Sequence, residues 1–97
     1  MISQSQALEA LKSVIDPDVG LNIVDLGMVE LVAADDSGVR VALIMTTPAC
    51  PQSGYLRDES LHALERAGAV APTVEVLDAP LWSPERLSDD ARKVLGW

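Results

Sequence analysis

The stretch Val39-Arg40-Val41-Ala42-Leu43-Ile44-Met45-Thr46-Thr47-Pro48-Ala49-Cys50-Pro51 decides how this chain folds. Val39, Val41, Leu43 and Met45 alternate with Arg40, Ala42, Ile44 and Thr46, which predicts a strand over Val39–Thr46 with one very apolar face. Pro51 suits the first position of a helix, where a missing N–H costs nothing. That spacing puts Cys50, the only cysteine, near the N-cap of a strand-to-helix junction. The free N–H groups and dipole of a helix start favour thiolate over thiol, so Cys50 is the candidate functional thiol. The alternative is a small buried hydrophobe, the usual fate of a free cysteine.

Upstream of this stretch, Asp35-Asp36-Ser37-Gly38 reads as a turn, and Ile23–Ala33 as a strand interrupted by Gly27. A glycine at that point signals a bulge or a close backbone approach. The two strands should form an antiparallel hairpin. Nearer the N-terminus, Ser3 and Gln6 have the spacing of a capping box. Leu8, Leu11, Val14 and Ile15 then share one helical face, and Asp16-Pro17 ends the helix. Asp18–Leu21 is a loop.

Downstream, the helix beginning at Pro51 carries Leu56, Ala63, Leu64 and Ala67 toward the core and stops at Gly68. Val74 and Val76 mark a third strand, and Ala79-Pro80-Leu81-Trp82 an extended connection. Ser83-Pro84-Glu85 opens a last helical segment, recapped at Ser88, with Leu87, Ala91, Val94 and Leu95 as its apolar residues. The fold class expected is α+β: a two-layer α-β-β-α-β domain over residues 1–97. It has a small three-stranded sheet, helices on one face, and an extra C-terminal helix.

Ninety-seven residues with a formal net charge of −8 exclude several functions. Nucleic acid and anionic membrane surfaces need clustered Lys and Arg. The longest strictly apolar run is Val41–Met45, so nothing spans a bilayer. Met1-Ile2-Ser3-Gln4 has no basic flank or apolar core, so no signal peptide is expected. A single cysteine excludes an internal disulfide and fits a reducing cytoplasm.

Cys50 has no obvious local base. His62, the sole histidine, lies twelve residues on in the same predicted helix. At about 1.5 Å per residue the two are roughly 18 Å apart along the axis, and His62 reads as solvent-facing. No Ser-His-Asp set, phosphate-cradling glycine run or short-spaced zinc pair is present. Asp16, Asp18 and Asp25 form an acidic group that could ligate a metal or support the thiol, or could simply shape turns. Asp25 stands out, because a carboxylate between Val24 and Leu26 is costly unless paired. Thr46 and Thr47 could donate hydrogen bonds to a bound anion or sulfur species, or serve strand and loop capping. Trp82, large and rare here, is read as the anchor of the last helix.

Four blocks are together more specific than any one of them. They are Asp16-Pro17-Asp18, Asn22-Ile23-Val24-Asp25-Leu26-Gly27, Thr46-Thr47-Pro48-Ala49-Cys50-Pro51 and Pro80-Leu81-Trp82. In this order the chain resembles the MIP-eighteen-like family of iron–sulfur assembly proteins, formerly domain of unknown function fifty-nine, over about Ala7 to Gly96. Stand-alone SufT-like members are the nearest fit, since neither a cysteine-rich C-terminal extension nor a P-loop ATPase follows. The resemblance implies the fold order read above and a role in iron–sulfur protein maturation. It maps the family's cysteine onto Cys50, its acidic residue onto Asp25, and its threonine onto Thr46 or Thr47.

One thiolate cannot hold a cluster that generally takes four ligands. The expectation is therefore an accessory factor in cluster assembly or delivery and not an enzyme, with Cys50 as a transient ligand. Asp25, Thr46, Thr47 and Pro51 would support it. No cofactor would be stably bound, the cargo being an iron–sulfur cluster or iron shared with a partner. The expected partners are assembly proteins and client apoproteins, and a homodimer stays open. A thiol-dependent redox or transferase enzyme with Cys50 as nucleophile is the alternative, weakened by the absence of a resolving cysteine and base. A pure interaction adaptor is the third reading.

Overall fold

The first helix starts with the reciprocal cap that the Ser3–Gln6 spacing predicts. Ser3 Oγ accepts the Gln6 N–H at 3.1 Å, and Gln6 Oε1 accepts the Ser3 N–H at 2.8 Å. The structure, a computed structural model, describes residues 2–46 and 52–96. The helix α1 spans Gln4–Leu11 and ends earlier than expected. Ser13 Oγ donates to the Ala10 carbonyl, and the Val14 N–H closes a tighter turn onto Leu11. Side-chain competition of this kind loosens a helix end. Val14 stays buried, but Ile15 does not join the apolar face: it is 46% exposed and forms a bridge with Asn22.

The expected strand over Ile23–Ala33 is only half a strand. Here β1 covers Val29–Asp35, and residues 23–27 are turn. Asn22 organises that turn by accepting the Asp25 N–H at its side chain (2.9 Å) and the Leu26 N–H at its carbonyl (3.1 Å). Ile23, Leu26 and Met28 are all buried, so the apolar run serves the core from a turn.

The turn read at Asp35–Gly38 is present, and Asp35 holds it. Its Oδ1 accepts from Ser37 Oγ at 2.6 Å and from the Ser37 N–H at 2.8 Å. These two bonds keep the Asp35 carboxyl below the usual carboxylate range. The strand β2, Gly38–Ile44, pairs antiparallel with β1 from Asp35↔Gly38 to Val29↔Leu43. It ends two residues short of Thr46. Its first half alternates as expected around exposed Arg40, but Ala42 and Ile44 are buried as well as Val41 and Leu43. The far end of the central strand is therefore covered on both faces.

The helix α2 spans Ser53–Arg66, with Gln52 at the cap position. Its start lies later than the expected Pro51; Cys50 and Pro51 themselves lie outside the described residues. Leu56, Ser60, Ala63 and Leu64 form the buried stripe. Ala67, expected in the core, is exposed because it is the C-cap and the helix ends there. The strand β3, Thr73–Leu77, returns parallel to β2 from Arg40↔Thr73 to Ile44↔Leu77, giving the order β1-β2-β3. Val32, Val39, Val41, Leu43 and Val74 share one cluster with Ala7 and Leu11 of α1 and Leu56, Ala63 and Leu64 of α2. The two helices thus cover one face of the sheet, as the expected α+β fold requires.

A short 3-10 turn at Pro84–Arg86 leads to α3, Asp89–Leu95, which Ser88 caps by accepting the Ala91 N–H at 3.1 Å. Leu87 and Ala91 enter the core, while Val94 is 69% exposed. The close approach read at Gly27 is real. Gly27 has φ +75°, and a Cβ there would overlap the Arg86 carbonyl oxygen.

Two stability changes follow from these contacts. Ser3→Ala should cost about 1 kcal/mol, the usual worth of an N-cap, measured by denaturant unfolding. Gly27→Ala meets both a positive φ and a backbone clash, and should cost about 2 kcal/mol or more. In a chain this size that lowers Tm by roughly 8 °C or more. A Gly27→Ala protein that melts with the wild type would mean that the backbone at Arg86 yields freely.

Candidate functional site

Because β2 and β3 run parallel, their carboxyl ends lie side by side, with Ile44 opposite Leu77. Chain leaving adjacent parallel strands at the same end leaves a crevice there. Here it is a cleft of ≈ 470 Å³. Met45 and Thr46 line it from the exit of β2, Leu77 and Asp78 from the exit of β3, and Ser53 from the first turn of α2. Pro80, Leu81 and Trp82 make its remaining wall. Leu81 is 73% exposed. Asp78 is the only charged residue among the described lining.

That wall is strapped to the turn at residues 23–27. Trp82 Nε1 donates to the Leu26 carbonyl at 2.6 Å. Arg86 Nε donates to the Gly27 carbonyl at 2.7 Å, and its Nη2 pairs with Glu30 at 2.7 Å. The Ser88 N–H donates to the Asp25 carbonyl at 2.8 Å. Trp82 therefore does anchor the C-terminal segment, and it also shapes the cleft, which reading it as packing alone missed. The signal that could have found this was the Pro80-Leu81-Trp82 block itself.

Of the expected site residues, Thr46 lies in the cleft, half-buried. Thr47, Cys50 and Pro51 lie outside the described residues. Asp25 is half-buried in the 23–27 turn and is not part of the cleft lining. The partner that its apolar surroundings demanded is Asn22, whose Nδ2 donates to Asp25 Oδ2 at 2.8 Å. His62 is exposed on α2, as expected.

The three aspartates do not converge on a metal. Among the described residues no group of three or more His, Cys, Asp or Glu side chains could hold one. Asp16 Oδ1 accepts the Asp18 N–H at 2.9 Å, and the Asp16 carbonyl accepts the Val19 and Gly20 N–H groups, so Asp16 folds the loop. Asp16 is fully buried, and its Oδ2 has no hydrogen-bond partner among the described residues. In the sequence Asp16 read either as a helix end or as part of an acidic group able to ligate a metal or support the thiol, and not as the organiser of this loop. Glu85 is held below the usual carboxylate range by hydrogen bonds from Ser83 and from its own N–H, but it lies outside the cleft.

Comparison with known proteins places this arrangement. The model of the family described as "iron-sulfur cluster assembly protein" matches residues 4–76. The chain belongs to the iron–sulfur cluster assembly protein family. It is 34% identical over 89 residues to the Fe-S protein maturation auxiliary factor YitW of Bacillus subtilis, covering 90% of this chain and 87% of that one. It is 34% identical over 85 residues to the auxiliary factor SufT of Staphylococcus aureus, covering 86% and 97%. The crystal structure of a domain of unknown function, DUF59, from Bacillus anthracis superposes with a TM-score of 0.90 at 32% identity, covering 96% and 91%. The expected membership of this family therefore holds, and so does the α+β fold. The relatives are named as auxiliary factors and not as enzymes, in line with an accessory role. The family model ends at residue 76, so the Pro80–Trp82 wall of the cleft lies beyond the part it matches.

One measurement isolates the strap. Trp82→Phe keeps one aromatic ring but removes the five-membered ring and, with it, the donor to Leu26. Leaving that carbonyl unpaired should cost about 1–2 kcal/mol. The thermal midpoint should fall by roughly 4–8 °C or more. A melt superimposable on the wild type would show that the indole N–H contributes nothing.

Proposed function

We propose that this protein is an accessory factor that assembles or delivers iron–sulfur clusters to client apoproteins, acting as one domain over residues 1–97 in the cytoplasm. Cys50 serves as a transient ligand to the cargo. The observation that carries the reading is the cleft at the carboxyl ends of two parallel strands, lined by both Thr46 and Ser53. These two residues flank, in sequence, the stretch that contains Cys50, the only cysteine of the chain. Cys50 is two residues from Gln52, so covalent geometry alone limits their Cα separation to about 7.6 Å. Membership of the assembly family and the names of YitW and SufT supply the kind of cargo.

The chemistry is ligand exchange. The Cys50 thiolate binds one iron as a donor's cysteine thiolate leaves, and a client cysteine later displaces Cys50. No iron changes oxidation state, and the proton lost by an incoming thiol is taken up by the departing one. The other ligands come from the donor, the client or a second copy. Thr46, Thr47 and Pro51 support the thiol in this reading. Asp25 supports it indirectly, through the turn that holds Trp82.

The test is a Cys50→Ser protein expressed in cells whose iron–sulfur enzymes depend on this factor. Those enzyme activities should fall several-fold while the purified variant melts within a few degrees of wild type, since the substitution is small. Asp25→Asn should give a weaker defect. Full enzyme activity with Cys50→Ser would remove the thiol from the mechanism. A variant melting far below wild type would make Cys50 a structural residue.

A further inference from the structure

The two edges of the sheet are finished differently. At the outer edge of β1, Gln4 Nε2 reaches across from α1 and donates to the Val32 carbonyl at 2.9 Å. Along β3, Thr73–Leu77, no main-chain group bonds to anything but β2 among the described residues. An edge strand presents alternate N–H and C=O groups outward, a ready template for another strand. Natural edges are blunted by proline, lysine or a bulge. Thr73-Val74-Glu75-Val76-Leu77 has no proline, lysine or bulge, its one charged side chain is Glu75, and its ladder to β2 runs without a shift. The strand also points into the cleft, since Val76, Leu77 and Asp78 form part of the lining.

Charge selects what could pair there. From Thr73 to Trp82 the only ionisable side chains are Glu75 and Asp78, both exposed. An acidic incoming strand would set like charges opposite one another, which is destabilising, whereas Lys or Arg would be matched. An added strand gains affinity from main-chain hydrogen bonds and specificity from pockets for alternate side chains. The cleft at the carboxyl end of β3, walled by Leu81 and Trp82, takes an apolar side chain.

We infer that the open edge of β3 accepts an extended client polypeptide segment as a fourth strand, with a basic residue opposite Glu75 and an apolar residue in the cleft beside Asp78. This rests on the reading that the protein meets client polypeptides. It adds where they bind and what sequence chemistry they present.

The probes are short capped peptides: one alternating valine with lysine, its counterpart alternating valine with glutamate, and the lysine peptide N-methylated at every other amide. Binding is read by amide shifts and hydrogen-exchange protection in the full-length protein. The lysine peptide should protect amides within Thr73–Leu77 and bind more tightly than the glutamate peptide. N-methylation should weaken it about tenfold or more, the worth of one or two lost hydrogen bonds. The exposed substitutions Glu75→Lys and Asp78→Lys together should reverse the charge preference without lowering Tm.

Absence of binding by either peptide would overturn the inference. So would equal binding of the N-methylated peptide, or shifts confined to residues away from β3 and the cleft. Protection of Thr73–Leu77 that rises with protein concentration alone would assign the edge to a second copy instead. Cys50→Ser should leave peptide binding unchanged, which separates the two readings. Peptide binding retained with normal iron–sulfur enzyme activity in Cys50→Ser cells would remove the cargo role and keep the edge. No peptide binding with a clear Cys50→Ser defect would do the reverse.

Discussion

Everything at the carboxyl end of the sheet depends on how closely Arg86 backs onto Gly27. There is no room between them for a side chain, and the Gly27 φ of +75° suits a residue without one. That contact lets the Arg86 guanidinium reach the Gly27 carbonyl and Glu30 together. The Trp82 indole then reaches Leu26. The energies are individually small. An ion pair as exposed as Arg86–Glu30 is worth about 1 kcal/mol or less, and a neutral hydrogen bond about 1 kcal/mol. Their importance lies in selection. The segment from Asp78 to Ser83 has no regular structure of its own, and the strap gives it one place to lie, which is the wall of the cleft.

The parts of the fold legible in the sequence are those written locally. The Ser3–Gln6 cap, the Asp35–Gly38 turn, the first half of the alternation in β2 and the Ser88 recap each fall within a few residues, and each is present. Residues 23–28 were misread because Ile23, Leu26 and Met28 are apolar and buried whether the backbone is strand or turn. The decision lay with Asn22, whose side chain closes the turn. The α1 end was misread for a similar reason. Ile15 continues the helical apolar pattern, yet the backbone there bridges to Asn22.

Of the cleft, Thr46 and the Pro80-Leu81-Trp82 block stood out in the sequence, but the shape they make together did not. Nothing local in Ile44–Thr46 or in Pro80–Trp82 says that the two will face one another. Their meeting requires β3 to return parallel beside β2 and the strap to fold back onto Gly27, both long-range events. Asp16 shows the opposite failure. Its position suggested a helix end, but the loop from Asp16 to Leu21 folds around its carboxylate and main chain, burying the side chain completely. Burial of that carboxylate is offset by the hydrogen bonds that its Oδ1 and the main chain of Asp16 accept within the loop.

An open, one-thiol arrangement suits handover better than a complete site would. A closed metal site of four protein ligands can contribute on the order of 10 kcal/mol or more, and that energy must be overcome before the cargo leaves. In the proposed function a single thiolate supplies one of about four ligands, so the cluster stays within reach of whichever protein supplies the rest. Selectivity then has to come from somewhere other than the metal. The exposed Leu81, the acidic Glu75 and Asp78, and the edge of β3 that no described residue pairs are the proposed contacts to a polypeptide. In the proposed function the division is physical: main-chain and apolar contacts decide which protein is held, and a weak, exchangeable sulfur ligand lets the cargo go.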